Sequence, residues 1–427
     1  MSENSWGLLG PEFLPKTRRT RTLGLGATVR LFNDLSVPGL GGVWYAKQLL
    51  LATLGIAIAQ DTSKKVSNIE VSNAIEALAC WMAFKNTGWK KDPRLRGNTK
   101  LKRNDGDFTF ARVRKRNFYV TQPMRMATVQ ALPALGLVEA DGVRFNAFQC
   151  SGAGRAFIEQ ACKRSVRNQL LEWIAQVKND DQKIDTAALR KALSPIEELT
   201  PDVLKLVKER LIQGGNDDTK RRVNALTWVE EMRQNSGVVG WQAKPQCIDE
   251  DHWRDLFAGA KLFSARDAAV AVLDVMEAHI GNQTNSQKFD LHTAIPEELA
   301  PSLAALKTTA MAFLDTNHAD KDAAAFCREC AQDNVSEVLR SLVDRDRHVL
   351  RLVDNFIKPG SAFRGKASTN SNNDDDDDDD YGVEEGARVV GNIPLPEGIS
   401  YRMRNLYLLN LDLQGKLDQW LADGVRA

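Results

Sequence analysis

Histidine and cysteine, the side chains that most often build metal centres and disulfide frameworks, are scarce in this chain. Five histidines and six cysteines are spread over 427 residues. The histidines show no metal-ligand spacing, and the cysteines lie mostly within apolar helical patterns, which predicts reduced core thiols. Cys327 and Cys330 form a CxxC pair, but structural zinc needs four ligands and no second pair accompanies them. We therefore expect neither a disulfide framework nor a metal or other cofactor.

Local catalytic signatures and long hydrophobic runs are lacking too. The motifs GxSxG, HExxH and HxE with CxxC do not occur. Acidic side chains that are distant in the sequence but close in the fold would form no local motif. A nuclease with such a site therefore stays an alternative to a non-enzymatic protein. The most apolar stretch, Leu49 to Ala59, is too short to span a bilayer, and the first fifteen residues lack a secretory pattern. These features favour a cytoplasmic protein with no membrane partner.

The net charge of +1 is small, but it conceals a strong asymmetry. Residues 1–170 hold 26 Lys+Arg against 12 Asp+Glu, whereas residues 171–427 hold 31 against 44. A basic block suits a polyanion, because each cation placed on a phosphate releases condensed counterions. The connector 85–116 concentrates twelve of these cations among interleaved aromatics, a composition that suits phosphate contact and base stacking, or a solvated loop. A second basic run, Lys16 to Arg21, suits an arm that follows a groove.

One stretch, Thr121 to Cys162, combines a capped helix, a turn and a second helix. A helix over Pro123 to Leu135 is predicted, bent in its last turn by Pro133. Asp141-Gly142 predicts a two-residue hairpin between LVEA and VRFNAF, and a helix containing Gly154 and Arg155 follows. The pattern resembles the winged-helix modules of bacterial transcription regulators. That resemblance implies a recognition helix, a wing and a return helix.

The resemblance implies that the recognition helix carries the base-reading side chains. At 100° per residue, Met126, Val129, Leu132 and Leu135 fall on the core side, which leaves Arg125, Thr128 and Gln130 towards solvent. Arg144 is the expected wing contact. The predicted DNA-binding residues are Arg125, Thr128, Gln130, Arg144, Arg112, Arg114, Lys115, Arg116, Lys100, Lys102 and Arg103. Because 36 residues separate Phe84 from Thr121, a tight helix-turn-helix needs a short helix within Ala111 to Tyr119, or an insertion.

The fold class predicted for the whole chain is mainly α: a winged helix-turn-helix module with a small β-hairpin, plus a larger helical domain. The predicted segments are a basic arm or loop (1–42), a helical pair with the basic connector (43–117), a winged helix (118–165), a helical domain (166–357), a disordered acidic linker (358–399) and a C-terminal helix (400–427). The helical pair is expected at Val43 to Gln60 and Val66 to Phe84. The C-terminal helix, about Ser400 to Leu421, is expected to dock on the body.

Three acidic features complete the pattern. A helix is predicted over Val335 to Ile357, with Asp346 in its apolar stripe, so a basic partner is expected there. The run DRDRH that contains it suits surface ion pairs better than catalysis, because successive helical residues face different sides. Seven consecutive aspartates, Asp374 to Asp380, are a solubilising linker or a competitor for the basic block.

These observations favour a non-catalytic protein that binds double-stranded DNA. We expect it to work with other protein subunits in a bacterial DNA-transaction assembly, such as phage defence or mobile-element maintenance. A winged-helix transcriptional regulator and a protein-interaction scaffold are the alternatives. The sequence leaves the DNA site, the oligomeric state and the biological process open.

Overall fold

The computed structural model is mainly helical with two small sheets, which confirms the predicted mainly α class. It describes residues 21–104, 108–116, 118–175, 186–214, 219–234, 240–283, 287–365 and 393–424. The arm residues Lys16 to Thr20 and the run Asp374 to Asp380 lie outside the described residues. The chain divides into a larger unit (29–263 and 376–427) and a smaller unit (1–28 and 264–375).

The described residues form eighteen helices and five strands. The helices are α1 (Gly26–Ser36), α2 (Ala46–Asp61), α3 (Asn68–Thr87), α4 (Asn98–Arg103), α5 (Phe110–Val113), α6 (Arg125–Thr128), α7 (Ala131–Ala134), α8 (Gly152–Ala161), α9 (Arg164–Ala175), α10 (Ala187–Leu193), α11 (Pro201–Gln213), α12 (Thr219–Gln234), α13 (Glu250–Gly281), α14 (Ala300–Leu314), α15 (Lys321–Cys330), α16 (Val335–Asp346), α17 (Tyr401–Leu413) and α18 (Leu417–Gly424). The strands are β1 (Val138–Ala140), β2 (Phe148–Cys150), β3 (Phe289–Asp290), β4 (Leu350–Val353) and β5 (Phe356–Pro359).

The core of the larger unit is built on α2 and α3, which pack along each other and are almost wholly buried. Both helices were predicted within a few residues of their observed ends. Gly55 permits their close approach, since a Cβ there would collide with Ser72. Ser67 and Glu70 cap the start of α3 reciprocally, and Gly88 ends it at φ 65°. The pair thus forms a rigid support for the elements packed on it.

The predicted helix over Pro123 to Leu135 is broken into two single turns, α6 and α7. Pro133 has no N–H to offer a helical bond, as the sequence predicts. The second cause is tertiary: the carbonyl of Ala127 accepts the N–H of Gly42 at 2.9 Å instead of continuing the helix. The loop comes this close because it has glycine at position 41 (φ 60°), where a Cβ would lie 2.7 Å from the Ala127 oxygen.

The hairpin that follows is real, but its predicted two-residue turn is wrong. β1 and β2 pair Val138 with Cys150 and Ala140 with Phe148, so residues 141–147 form a seven-residue loop. Phe145 and Phe148 are both buried. Residues three apart point to opposite faces of a strand but to the same side of a 3-10 helix, and the chain forms a 3-10 helix over Phe145–Ala147. The return helix, α8, is confirmed, and Ser151 caps its start by accepting the N–H of Gly154 at 3.0 Å.

The smaller unit contains a three-stranded antiparallel sheet in the order β3-β5-β4, beside α14, α15 and α16. The single helix predicted over Val335 to Ile357 is wrong, because α16 ends at Asp346 and the chain continues as β4 and β5. Arg347 adopts the left-handed conformation at φ 57°, and Asp354 does the same at φ 56° in the turn between the strands. β5 extends to Pro359, so the first two residues of the predicted acidic linker lie in a strand; residues 366–392 of that linker lie outside the described residues.

Arg21 is the basic partner that Asp346 requires. Its guanidinium is buried in the smaller unit, hydrogen-bonded to Asp274 and to Glu277 (2.9 Å), with Nε 3.6 Å from Asp346 Oδ2. The last cation of the predicted arm is therefore used for folding.

The C-terminal segment docks on the larger unit, as predicted, although it forms two helices rather than one. Gly415, at φ 62°, separates α17 from α18. α17 packs on α2, α11 and α12. The carboxylate of Asp412 accepts the N–H of Ala46 at 2.7 Å, so α17 supplies a cap to the first turn of α2.

Candidate nucleic-acid interface

Nine of the predicted DNA-binding residues lie on or next to elements of the larger unit that contact α3: α4, α5, α6 and the hairpin loop. We call this set the basic band; its members are Lys100, Lys102, Arg103, Arg112, Arg114, Lys115, Arg116, Arg125 and Arg144. The band begins at the end of α4, where Lys102 and Arg103 are exposed. The side-chain oxygen of Asn104 accepts a hydrogen bond from Arg112 Nη2 at 2.9 Å, which joins α4 to α5.

The middle of the band lies beside the first turn of α3. Arg114 Nη1 is 3.4 Å from the carboxylate of Glu70, which takes part in the cap of that helix. Lys115 and Arg116 follow and are exposed. The amino end of a helix carries a partial positive charge, so α3 adds to the potential that these cations create.

Arg125 is held against the next turns of the same helix. Its Nε donates to Asn73 Oδ1 at 2.6 Å, and its backbone N–H donates to the carboxylate of Glu76 at 3.1 Å. Glu76 also accepts the N–H of Met124, so this buried carboxylate caps α6 from a neighbouring helix. Burial lowers the pKa of Arg125 and raises that of Glu76. Arg116 lies close enough to act electrostatically on Arg125, which links the middle of the band to this end.

The hairpin loop completes the band. Asn68 donates from Nδ2 to the carbonyls of Phe145 (3.1 Å) and Phe148 (2.8 Å), and thereby fixes the loop to the start of α3. Asn146 Oδ1 accepts the N–H of Ile69 at 3.0 Å. Arg144 is exposed directly before this clamped region, at the position the sequence assigns to the wing.

Three arginines of the band lie over phenylalanine rings. The guanidinium carbons of Arg112, Arg114 and Arg125 are 5.7, 5.9 and 5.4 Å from ring centroids. The rings belong to Phe118, Phe110 and Phe145 respectively. Stacking restricts the rotamers of a guanidinium, so less entropy is lost when its N–H groups bind an anion.

Six other cations of the band form no ion pair with any described residue; they are Lys100, Lys102, Arg103, Lys115, Arg116 and Arg144. All of these except Lys100, which is half-buried, are exposed. Within the described part of the chain, the five exposed cations are therefore accessible to an anionic ligand.

Two predicted site residues lie outside the band. Thr128 is buried, and its hydroxyl donates to the carbonyl of Arg125 at 2.8 Å, so the expectation that it faces solvent is wrong. Gln130 is exposed, but its side-chain oxygen accepts a hydrogen bond from Arg402 at 2.6 Å. Met126, expected in the core, is 47% exposed. Of the three side chains predicted to read bases, Thr128 is thus buried, Arg125 is half-buried, and Gln130 is exposed but bonded to Arg402.

Sequence reasoning missed the polar residues of α3 that position the band. Asn68, Asn73 and Glu76 are buried among the mostly apolar buried side chains of α3. A buried polar side chain needs a hydrogen-bond partner, so these three could have been identified as contact points. The partners of these side chains, among them Met124 and Phe145, could not be identified from the sequence, because only the tertiary fold brings them close.

The other sequence candidates have structural roles. Asp344 and Arg347 form an exposed ion pair at 3.2 Å, as predicted for DRDRH. All six cysteines are free; Cys327 and Cys330 are buried, and burial raises the pKa of Cys327 to about 12. Within the described residues, no three His, Cys, Asp or Glu side chains are grouped to hold a metal ion. Nor does any described helix have the length and apolar character needed to cross a membrane.

No protein-family model matches this chain, and no curated protein or solved structure matches it either. The resemblance to winged-helix modules therefore stays a prediction. What the chain binds must be inferred from its own charges and contacts.

Proposed function

We propose that this protein binds double-stranded DNA by holding phosphates along the basic band. The supporting observation is the set of exposed cations that have no ion pair with any described residue and lie on or next to elements that contact α3. A single small anion would need only two or three such groups in a closed pocket. A band that runs from α4 to the hairpin loop fits an extended polyanion better, because each contact adds released counterions.

The order of elements in residues 124–161 is compatible with a modified winged helix. A short helical segment, a hairpin and a return helix follow one another, as in the proposed family. α5 lies near the expected position of the preceding helix, but it packs on α3 and α9. We propose that the α6–α7 segment supports Arg125 instead of entering the major groove as a continuous recognition helix.

This arrangement favours backbone contact over base reading. Phosphate contacts set register and orientation but carry no sequence information. Of the polar side chains predicted to read bases, Thr128 is buried and Gln130 is bonded to Arg402. We propose limited sequence preference, supplied by Arg144 at the hairpin. Such a protein suits a subunit of a multi-protein DNA-transaction assembly better than a stand-alone repressor. The process itself, whether defence, mobile-element maintenance or transcription regulation, stays a prediction.

The test is duplex affinity in a charge-neutralised variant. Arg116→Gln with Arg144→Gln removes two exposed cations whose loss breaks no ion pair with described residues. Fluorescence anisotropy with a 25-bp duplex should show weaker binding and a salt slope shallower by about 2, since each phosphate contact contributes about 0.9. Arg404→Gln is the matched control, because Arg404 is an exposed cation of the larger unit on α17, outside the band.

Equal affinities for the double variant, the control and the unmodified protein would contradict the proposal. Unchanged melting temperatures in all three would show that the comparison concerns binding and not folding.

A further inference from the structure

The tip of the β1–β2 hairpin presents an unusually exposed apolar side chain. Val143 is 89% exposed, whereas the next most exposed large hydrophobic residue in the described part of the chain, Met311, is 48% exposed. Its neighbours Asp141, Gly142 and Arg144 are exposed as well. A lone surface valine needs no explanation in general, so its importance depends on what supports it.

The support beneath Val143 is rigid. Phe145 and Phe148 are buried with ring centroids 5.6 Å apart, and Arg125 lies over the first ring. The hydrogen bonds from Asn68 to both phenylalanine carbonyls fix the backbone two residues after the tip. The tip therefore projects from a fixed base, and little ordering entropy is lost when it enters a ligand.

Arg144 can hold a phosphate at the tip, but Asp141 lies in the same loop, so the tip is not uniformly basic. Charge alone therefore does not account for the exposed Val143 between these two residues. An apolar group next to an arginine instead suits the edge of a base step, where the side chain can replace part of the stacking.

We infer that Val143 is a wedge residue that enters between base pairs of the bound duplex and partly unstacks them. This inference rests on the proposed function, since the basic band must first hold the duplex. The ligand class it defines is duplex DNA with easily unstacked pyrimidine–purine steps, which have the lowest cost of deformation. The free energy gained when Val143 contacts the bases offsets the base stacking that is lost. We therefore expect Val143 to change the shape of the DNA more than the affinity for it.

The experiment measures binding and unstacking on one sample. The full chain is added to a labelled 30-bp duplex that contains several TA steps; anisotropy reports binding and permanganate reports unstacked thymines. Permanganate attacks the thymine ring from its face, so stacked thymines are protected. The variants are Val143→Ser, which removes both methyl groups and so the apolar surface, and Asp141→Asn, a control at the same tip.

The expected result is a rise of roughly three-fold or more in thymine reactivity with the unmodified protein and with Asp141→Asn. Val143→Ser should bind within about three-fold of the same affinity and lose that rise. Bound duplex without added reactivity, or reactivity that persists in Val143→Ser, overturns the wedge and leaves the proposed function standing. No anisotropy change overturns both.

Discussion

Asp412 offers the sharpest test of how the C-terminal segment is held. Its carboxylate accepts the backbone N–H of Ala46 at 2.7 Å, and burial raises its pKa from the ordinary value of 3.8 to about 6. We predict that Asp412→Asn stabilises the larger unit at neutral and alkaline pH. The amide keeps an oxygen that can accept the same hydrogen bond, and it has no charge to desolvate.

The magnitude and its sign follow from the two pKa values. A difference of about two units corresponds to about 3 kcal/mol, an upper value for this single group. A raised pKa means that the folded state binds the proton more tightly than the unfolded state. The group's stabilising contribution is therefore complete below pH 4 and is lost as the pH rises through 6. The variant should match the unmodified protein near pH 4 and exceed its free energy of unfolding by up to about 3 kcal/mol at pH 8.

Urea unfolding followed by tryptophan fluorescence is the suitable assay, because every tryptophan after Trp6 belongs to the larger unit. Asp412→Ala is the control: it also removes the charge, but it lacks the acceptor, so it should fall below Asp412→Asn by about 1 kcal/mol at every pH. A loss of stability in Asp412→Asn at pH 8 would refute the reasoning.

Further predictions concern the smaller unit and the site. Arg21→Ala should lower the free energy of unfolding of the smaller unit by about 3–5 kcal/mol, because buried carboxylates lose their cation. The double variant Arg21→Ala with Asp346→Asn should regain part of the lost free energy of unfolding, measured by calorimetry. No recovery would contradict the pairing of Arg21 with Asp346. Thr128→Ala should cost about 1 kcal/mol of stability and leave duplex affinity unchanged, whereas affinity loss at equal folding would restore Thr128 as a DNA contact. Arg125→Lys should weaken duplex binding, since lysine cannot both bond Asn73 and keep the planar stack over Phe145; equal affinity would exclude Arg125 from the interface.

Local sequence signals predicted the elements that depend on local features. α2 and α3 were predictable because their apolar residues, the cap at Ser67 and the terminal Gly88 all lie within the segments themselves. The return helix was predictable for the same reason. Asp354-Asn355 lies between two runs of β-prone residues and is a two-residue turn signal for β4 and β5. The apolar residues of Val335 to Ile357 also have helical spacing, and that spacing led to the prediction of a helix instead.

Tertiary contacts decided the rest. The break between α6 and α7 depends on the N–H of Gly42, more than 80 positions earlier in the chain. The hairpin register depends on the packing of both Phe145 and Phe148 in the hydrophobic core. Composition showed that residues 85–116 are strongly basic. It could not show that Thr128 is buried, because that follows from how the segment rotates against the core.

The most direct test of the central claim is the dependence of duplex affinity on salt concentration for the unmodified chain. If up to six cations that have no ion pair with described residues bind phosphates, log K should fall with log salt concentration with a slope of roughly −5. Between 50 and 200 mM salt, the affinity should then fall by roughly a thousand-fold. A slope near zero, or no binding at the lowest salt concentration, would contradict the account.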